Sequence, residues 1–498
     1  MKEQYRCSRT LMQAVVLAGL FAVVGLGVSC SNMLTDLASL REAPVSPGGS
    51  GGPDNVEFLV FAGTGLPEIT LHWAEPHPSV SSYRVHRSES SGDFDLGNPL
   101  TVVSSNGPVF SYVDTTAVST TGYFYVVEAV VGGSVAGTSP EVAAMARSLT
   151  SVVDPAFIYV DPSALGGGNG SSENPFNTIT DGVTAVDGGG TVLLLDGTYQ
   201  LSASVTVSKH VAIRSVTGSY QFSEASLNAG DIANTAAIQF LGGSDGSVLL
   251  GLRVTGAVRT SSSQGTIRIG SGSGNDPDDV QILWNHLYGN VGVGISNHMG
   301  SGESLRTVIA GNRISDHGGG HAVRIDRGLV DGRFEDNIIE NVADSGAGIN
   351  MDRSTGFAIS RNHFRNITGH GMNLGGGTNN FAVSDNLLEH TNTAERADGG
   401  GIRLYGASHT TSVAITGNTV MHSFNSIYQR DADISGSDIM ISGNTIILPT
   451  AGSMLIVNAA ASGTLNAQGN WFGSANEDDF KGFIDGDVDY SDWLPAAP

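Results

Sequence analysis

Asparagine recurs at Asn285, Asn312, Asn337, Asn362, Asn386, Asn418, Asn444 and Asn470, at intervals of 27, 25, 25, 24, 32, 26 and 26 residues. The contexts match: Gly311-Asn312-Arg313-Ile314, Arg361-Asn362-His363-Phe364, Gly417-Asn418-Thr419-Val420 and Gly443-Asn444-Thr445-Ile446 each follow an alternating apolar run. A second column precedes most of them, in Gly294-Ile295, Ala322-Val323, Gly348-Ile349, Gly371-Met372 and Gly401-Ile402. A repeat of about 25 residues holding three short strands cannot bury its own apolar face, so the repeats must stack. The expected fold is therefore all-β, a parallel β-helix. An Asn at the same turn of each coil can bond the amide of the next rung ~4.8 Å away, which satisfies buried polar groups along a ladder. Eight rungs span roughly 34 Å, and their expected role is structural. The 32-residue interval holds about six extra residues, placed in a polar loop at 391–399.

Composition fits a folded, turn-rich chain: of 498 residues 68 are Gly and 16 Pro, below the share that marks low-complexity disorder. The balance of 24 basic and 48 acidic residues leaves a net charge of −24, which repels phosphate backbones and argues against nucleic acid as a partner. Lysine occurs only as Lys2, Lys209 and Lys481, so nearly every cation is an arginine, the side chain suited to bidentate grip on carboxylates. Both cysteines, Cys7 and Cys30, lie near the start, so beyond Cys30 there is neither a disulfide nor a thiolate metal site.

Residues 1–30 read as a signal peptide. Lys2, Arg6 and Arg9 precede an apolar run at 14–28 that spans ~22 Å, too short for a ~30 Å hydrocarbon core. Leu26-Gly27-Val28-Ser29-Cys30 resembles a bacterial lipoprotein signal, in which the Cys after the cut is acylated, although Gly27 stands where such signals usually carry Leu. The resemblance implies lipidation of Cys30 and an exported protein held at the cell envelope; plain secretion and a retained signal anchor are the alternatives. Residues 31–55 end in a Pro-, Gly- and Ser-rich stretch and form a flexible linker. Residues 56–148 then alternate in Ile69-Thr70-Leu71-His72-Trp73, Tyr83-Arg84-Val85-His86-Arg87 and Tyr123-Phe124-Tyr125-Val126-Val127, the pattern of a β-sandwich. Trp73 and the strand holding Tyr123, Val127 and Ala129 resemble a fibronectin type III domain, which implies a spacer or weak binding module.

Residues 155–495 carry the solenoid. Ile158-Tyr159-Val160-Asp161-Pro162, the later Leu195-Asp196-Gly197-Thr198-Tyr199, and the closing Gly469-Asn470-Trp471-Phe472-Gly473 resemble right-handed parallel β-helix proteins of the pectate-lyase-like superfamily. That group contains lyases, hydrolases, epimerases and inactive surface proteins alike, so the resemblance implies fold and not activity.

If Ile295, Val323, Ile349, Met372, Ile402 and Ile427 point inward, period two places Ser296, Arg324, Asn350, Asn373, Arg403 and Tyr428 in one outer column. Beside it lie His298, Asp326, Asp352, Gly375, Tyr405 and Arg430. Carboxylates, guanidinia, amides and phenols suit sugars, whose hydroxyls take polar partners and whose ring faces stack on aromatics. Asn350, Asn373, Tyr405, Tyr428 and His298 are the candidate substrate-binding residues; an ordinary solvated face is the alternative. Asp326 and Asp352, one coil apart, are open to three readings: a shared Ca²⁺, an acid/base pair, or ion pairs with Arg324 and Arg353. With Arg324, Arg403 and Arg430 they are the candidate catalytic residues, since a lyase could use an arginine base beside Ca²⁺.

Gly369-His370-Gly371 resembles a tripeptide of the polygalacturonases, but it fills the repeat slot of Gly320-His321-Ala322, and that family's companion segments are absent. No His-x-His or His-x-x-x-His pair suggests zinc. The expectation is an exported surface protein whose β-helix binds or cleaves extracellular polysaccharide, with a non-catalytic adhesin or structural rod as the alternative. If it is an enzyme, the class is polysaccharide lyase or glycoside hydrolase.

Overall fold

The structure is a computed structural model describing residues 56–498, apart from 233, 259–264, 271–275, 298–302, 326–327, 345, 406–411, 431–433, 435–437, 448–452 and 461. Cys30, the segments 1–30 and 31–55, His298 and Asp326 therefore lie outside the described residues. The chain divides into two compact units. One runs to Gly197 and takes in Val211–Ala225 and Val248–Leu252; the other comprises Thr198–His210, Ser226–Ser247 and Arg253–Pro498.

In the first unit, Val60–Ala62, Ile69–Ala74 and Val109–Asp114 form a three-stranded antiparallel sheet. A second antiparallel sheet joins Thr101–Ser104, Ser82–Ser88, Gly122–Val131 and Ser134–Thr138, with Val142–Met145 also on Gly122–Val131. Alternation decides what is inside: Ile69, Leu71 and Trp73 are fully buried and the residues between them are not. Trp73, Tyr83 and Phe110 pack as a ring cluster with centroids 4.7–6.0 Å apart. Tyr123 is buried with its hydroxyl accepting the Val118 N–H at 3.1 Å, five residues upstream. The same unit holds four parallel strands, Phe157–Val160, Gly190–Leu194, Val211–Ser215 and Val248–Leu250. Ahead of the second strand lies the helix Ile179–Ala185, capped by the Thr178 hydroxyl accepting from Asp181 N–H.

The second unit is a right-handed β-solenoid with three long parallel sheets and a two-stranded one, Ser304–Leu305 with Leu329–Val330. Each coil supplies one strand to each long sheet, as in Val308–Ala310, Arg313–His317 and Val323–Ile325 followed by Arg333–Glu335, Ile338–Val342 and Ile349–Asp352. Inside run stacked aliphatics, among them Ile295, Val323, Ile349, Met372, Ile402 and Ile427, all inaccessible to solvent. The asparagines stand at the turn between the first two sheets. From Asn285 to Asn444, each Nδ2 donates to the Oδ1 of the next rung at 2.8–3.1 Å, and that oxygen also accepts the same residue's backbone N–H at 2.8–3.0 Å. The residue before every rung is left-handed: Trp284, Gly311, Asp336, Arg361, Asp385, Gly417, Gly443 and Gly469 have φ between 53° and 69°. That conformation turns the chain sharply enough to bring the amide inside.

Candidate functional site

The third sheet carries the polar column. Its register pairs Ser296 with Arg324, then Asn350, Asn373, Arg403 and Tyr428 on successive coils. Asp352, Gly375, Tyr405 and Arg430 are likewise in register. Stacking has consequences that period two alone does not convey. Asn350, Asn373 and Arg403 point away from the aliphatic core yet are only 6–8% exposed. Asn373 Nδ2 donates to Asn350 Oδ1 at 2.7 Å, and Arg403 Nη1 donates to Asn373 Oδ1 at 3.0 Å. Arg324 and Tyr428, on either side of these three, are half-buried.

The loop 391–399 meets this column at Arg403. Asn392 fixes its base, donating through Nδ2 to the carbonyls of Arg396 (3.1 Å) and Phe424 (2.8 Å). Asn425 Nδ2 holds the carbonyls of Ala397 and Gly399 at 3.2 and 3.1 Å. A Cβ on Gly399 would fall 2.8 Å from the His370 ring, so glycine is what allows the loop to lie this close. Between the two anchored carbonyls stands Asp398, whose carboxylate meets Arg430 Nη1 at 2.9 Å, Arg403 Nη2 at 3.3 Å and Arg396 Nε at 3.9 Å. The Arg403 guanidinium also lies over the Tyr405 ring, 4.9 Å from its centroid.

His370, from the Gly-His-Gly tripeptide, is buried beneath this group, and its Nδ1 accepts the Gly400 N–H at 3.4 Å. Burial, reinforced by the charges of Arg403 and Arg396, pushes its pKa down to about 3, so it is neutral at physiological pH. Asp352 makes one of the ion pairs considered for it, and its pairing with Asp326 lies outside the described residues. Its Oδ2 faces Arg353 Nη2 at 3.3 Å, and its Oδ1 lies where a Cβ on Gly376 would be, 1.4 Å away. Ca²⁺ requires six to eight oxygens, and among the described residues no group of three or more His, Cys, Asp or Glu converges.

Two features escaped the sequence. Asp398 and Arg396 sit on the inserted loop, where no repeat exists for alignment; the insertion itself was the signal. His390 and His422 stack on adjacent coils with ring centroids 4.9 Å apart and planes at 16°, although 32 residues separate them in sequence. A search for short histidine spacings misses a pair formed by stacking.

The family model described as right handed beta helix region matches residues 275–446, less than half of the chain. No curated protein matches it. Among solved structures, the chain is similar to a Fn3-like protein from Clostridium thermocellum, at 26% identity over 19% of this chain and 97% of the other, with a TM-score of 0.16. It is also similar to the catalytic domain of a GH87 alpha-1,3-glucanase in complex with nigerose, at 12% identity over 88% and 89% of the two chains, with a TM-score of 0.39. For the A-module of the Azotobacter vinelandii mannuronan C-5 epimerase AlgE4 the values are 15%, 67%, 96% and 0.36. Among the described residues no helix is long and apolar enough to cross a membrane.

Proposed function

We propose that the outer face of the third sheet binds an extended extracellular polysaccharide. One observation carries this reading: Arg324, Asn350, Asn373, Arg403 and Tyr428 stand in register on five successive coils, flanked by Asp352, Tyr405 and Arg430. A row of hydrogen-bonding groups repeating at every rung suits a polymer whose hydroxyls also repeat, and the two phenols supply faces for sugar rings. The antiparallel sandwich, with Trp73 in its core and the Tyr123 hydroxyl bonded upstream, supports a fibronectin type III-like spacer ahead of the solenoid. The sequence around Cys30 supports export and a lipid anchor. Replacing Cys30 with Ala should then move the protein from the membrane to the soluble fraction; retention in the membrane would count against the anchor.

A structural rod is the second reading. It is favoured by the mutual hydrogen bonds of Asn350, Asn373 and Arg403, which need no ligand to be stable. Affinity electrophoresis against a panel of acidic and neutral polysaccharides separates the two. The binding reading expects retardation by at least one polymer, lost in Tyr405→Ala/Tyr428→Ala. Absence of retardation by every polymer would leave the rod. Reducing ends and unsaturated-uronate absorbance, followed in the same samples, show whether binding leads to cleavage.

A further inference from the structure

Three arginines, from the loop 391–399 and from two successive coils, face one carboxylate. Arg396, Arg403 and Arg430 lie 3.9, 3.3 and 2.9 Å from the oxygens of Asp398. Arg403 is almost fully buried, and its other contacts, Asn373 Oδ1 and the Tyr405 ring, fix the direction of its guanidinium. A buried guanidinium held in place beside two half-exposed ones is a prepared site for a carboxylate, and planar bidentate recognition is what arginine offers over lysine.

We propose that Asp398 is a built-in competitor: its side chain occupies a carboxylate-binding site on the third sheet, and a uronate unit of the polysaccharide binds there by displacing it. This rests on the glycan-binding reading and specifies its ligand and its control. The yielding part is the side chain and not the loop. The Ala397 and Gly399 carbonyls on either side of Asp398 are held by Asn425, and Gly399 is packed on His370, so the backbone stays. The Asp398 carboxylate itself is 42% exposed and can rotate into water, where it is fully solvated. The pair with Arg430, exposed on both sides, is weak, and an incoming carboxylate replaces Asp398 on the buried Arg403 charge for charge. Meanwhile the resident carboxylate is an ion-pair partner of the buried Arg403 when no ligand is present. The position of the loop agrees with this role, because insertions in stacked repeats gather on the face that binds.

The test is calorimetric titration of the full chain and of Asp398→Asn with trimers of galacturonate, mannuronate, guluronate and glucuronate, each beside its carboxyl-reduced neutral counterpart. Asp398→Asn removes the competing charge and keeps the shape. Affinity for at least one uronate trimer should rise about tenfold, with a smaller gain for the reduced trimer, and the rise should vanish in Asp398→Asn/Arg403→Met. Unaltered or weakened uronate binding in Asp398→Asn would overturn the competitor. If neutral trimers bind, and lose binding in Tyr405→Ala/Tyr428→Ala, while Asp398→Asn has no effect, the inference fails and the glycan face stands. If no trimer binds either protein, the inference fails, and the polymer panel alone decides the glycan face.

Discussion

At the scale of single residues, the turn before each ladder asparagine is the position on which the coil depends. An L-residue in the left-handed region costs roughly 1–2 kcal/mol, which glycine avoids. Gly311, Gly417, Gly443 and Gly469 could be assigned that role from sequence, and Asp336 and Asp385 belong to a residue type that tolerates it. Trp284 and Arg361 could not be assigned, because stacking imposes their conformation. Arg361 is held there by Asp336, which accepts from its Nε at 2.9 Å. The glycines are also unequal. A Cβ on Gly311 would lie 2.6 Å from the Trp284 ring, whereas a Cβ on Gly469 meets nothing within 4 Å. Gly311→Ala therefore combines a φ of +64° with a clash and should cost several kcal/mol, on the order of 3. Gly469→Ala carries the φ cost alone, about 1 kcal/mol. Urea unfolding of the two variants checks this, and equal midpoints would show that the ring gives way freely.

At the scale of the element, the ladder and the polar column differ in how far they could be read. The asparagine column was visible because a fixed spacing and a repeated context survive in sequence. What the sequence does not carry is the number of bonds per rung. Removing the Asn362 carboxamide takes the acceptor from both the backbone N–H and the Nδ2 of Asn337, and takes donors from the Phe334 and Ser360 carbonyls and from Asn386 Oδ1. At about 1–3 kcal/mol per buried group left unsatisfied, Asn362→Ala should destabilise by at least ~3 kcal/mol. Asn106→Ala, on an exposed stretch of the sandwich, should cost under about 0.5 kcal/mol. Comparable losses in the two variants would refute a structural ladder. The register of the outer column followed from the Gly-aliphatic repeat that precedes each strand. Its burial did not, because Asn373 is held between Asn350 and Arg403 of neighbouring coils, and Arg403 also meets Asp398 from an insertion with no counterpart in the other repeats.

At the scale of the whole molecule, acid should test the histidines against the net charge. The chain carries −24 at pH 7 and has an isoelectric point near 4.7, so lowering the pH toward that point relieves self-repulsion and by itself favours the compact state. The buried histidines act in the opposite direction. Burial holds His370 down to about 3 and, with Arg313 and Arg253 adding to it, His286 down to about 4; His317 is lowered too, chiefly by burial. Above pH ~6.5 these rings are neutral in both the folded and unfolded chain and contribute nothing to the pH dependence. Below that value the unfolded chain takes up protons that the folded one refuses, so stability falls as the pH drops from ~6.5 toward 4, in total by a few kcal/mol. Glu340 extends the loss further down. Clasped by Arg313 and Arg365 it titrates below the usual glutamate range, and its stabilisation, complete above the unfolded value near 4.3, disappears as the pH falls through its lowered one. The melting temperature should therefore fall steadily from pH 6.5 to 4, and His370→Gln, which cannot be protonated, should show a shallower slope over that interval whatever its stability at pH 7. A melting temperature that rises through this range would mean that charge relief outweighs the histidines. A slope unchanged in His370→Gln would show that this ring takes up its proton without unfolding the coil that holds it.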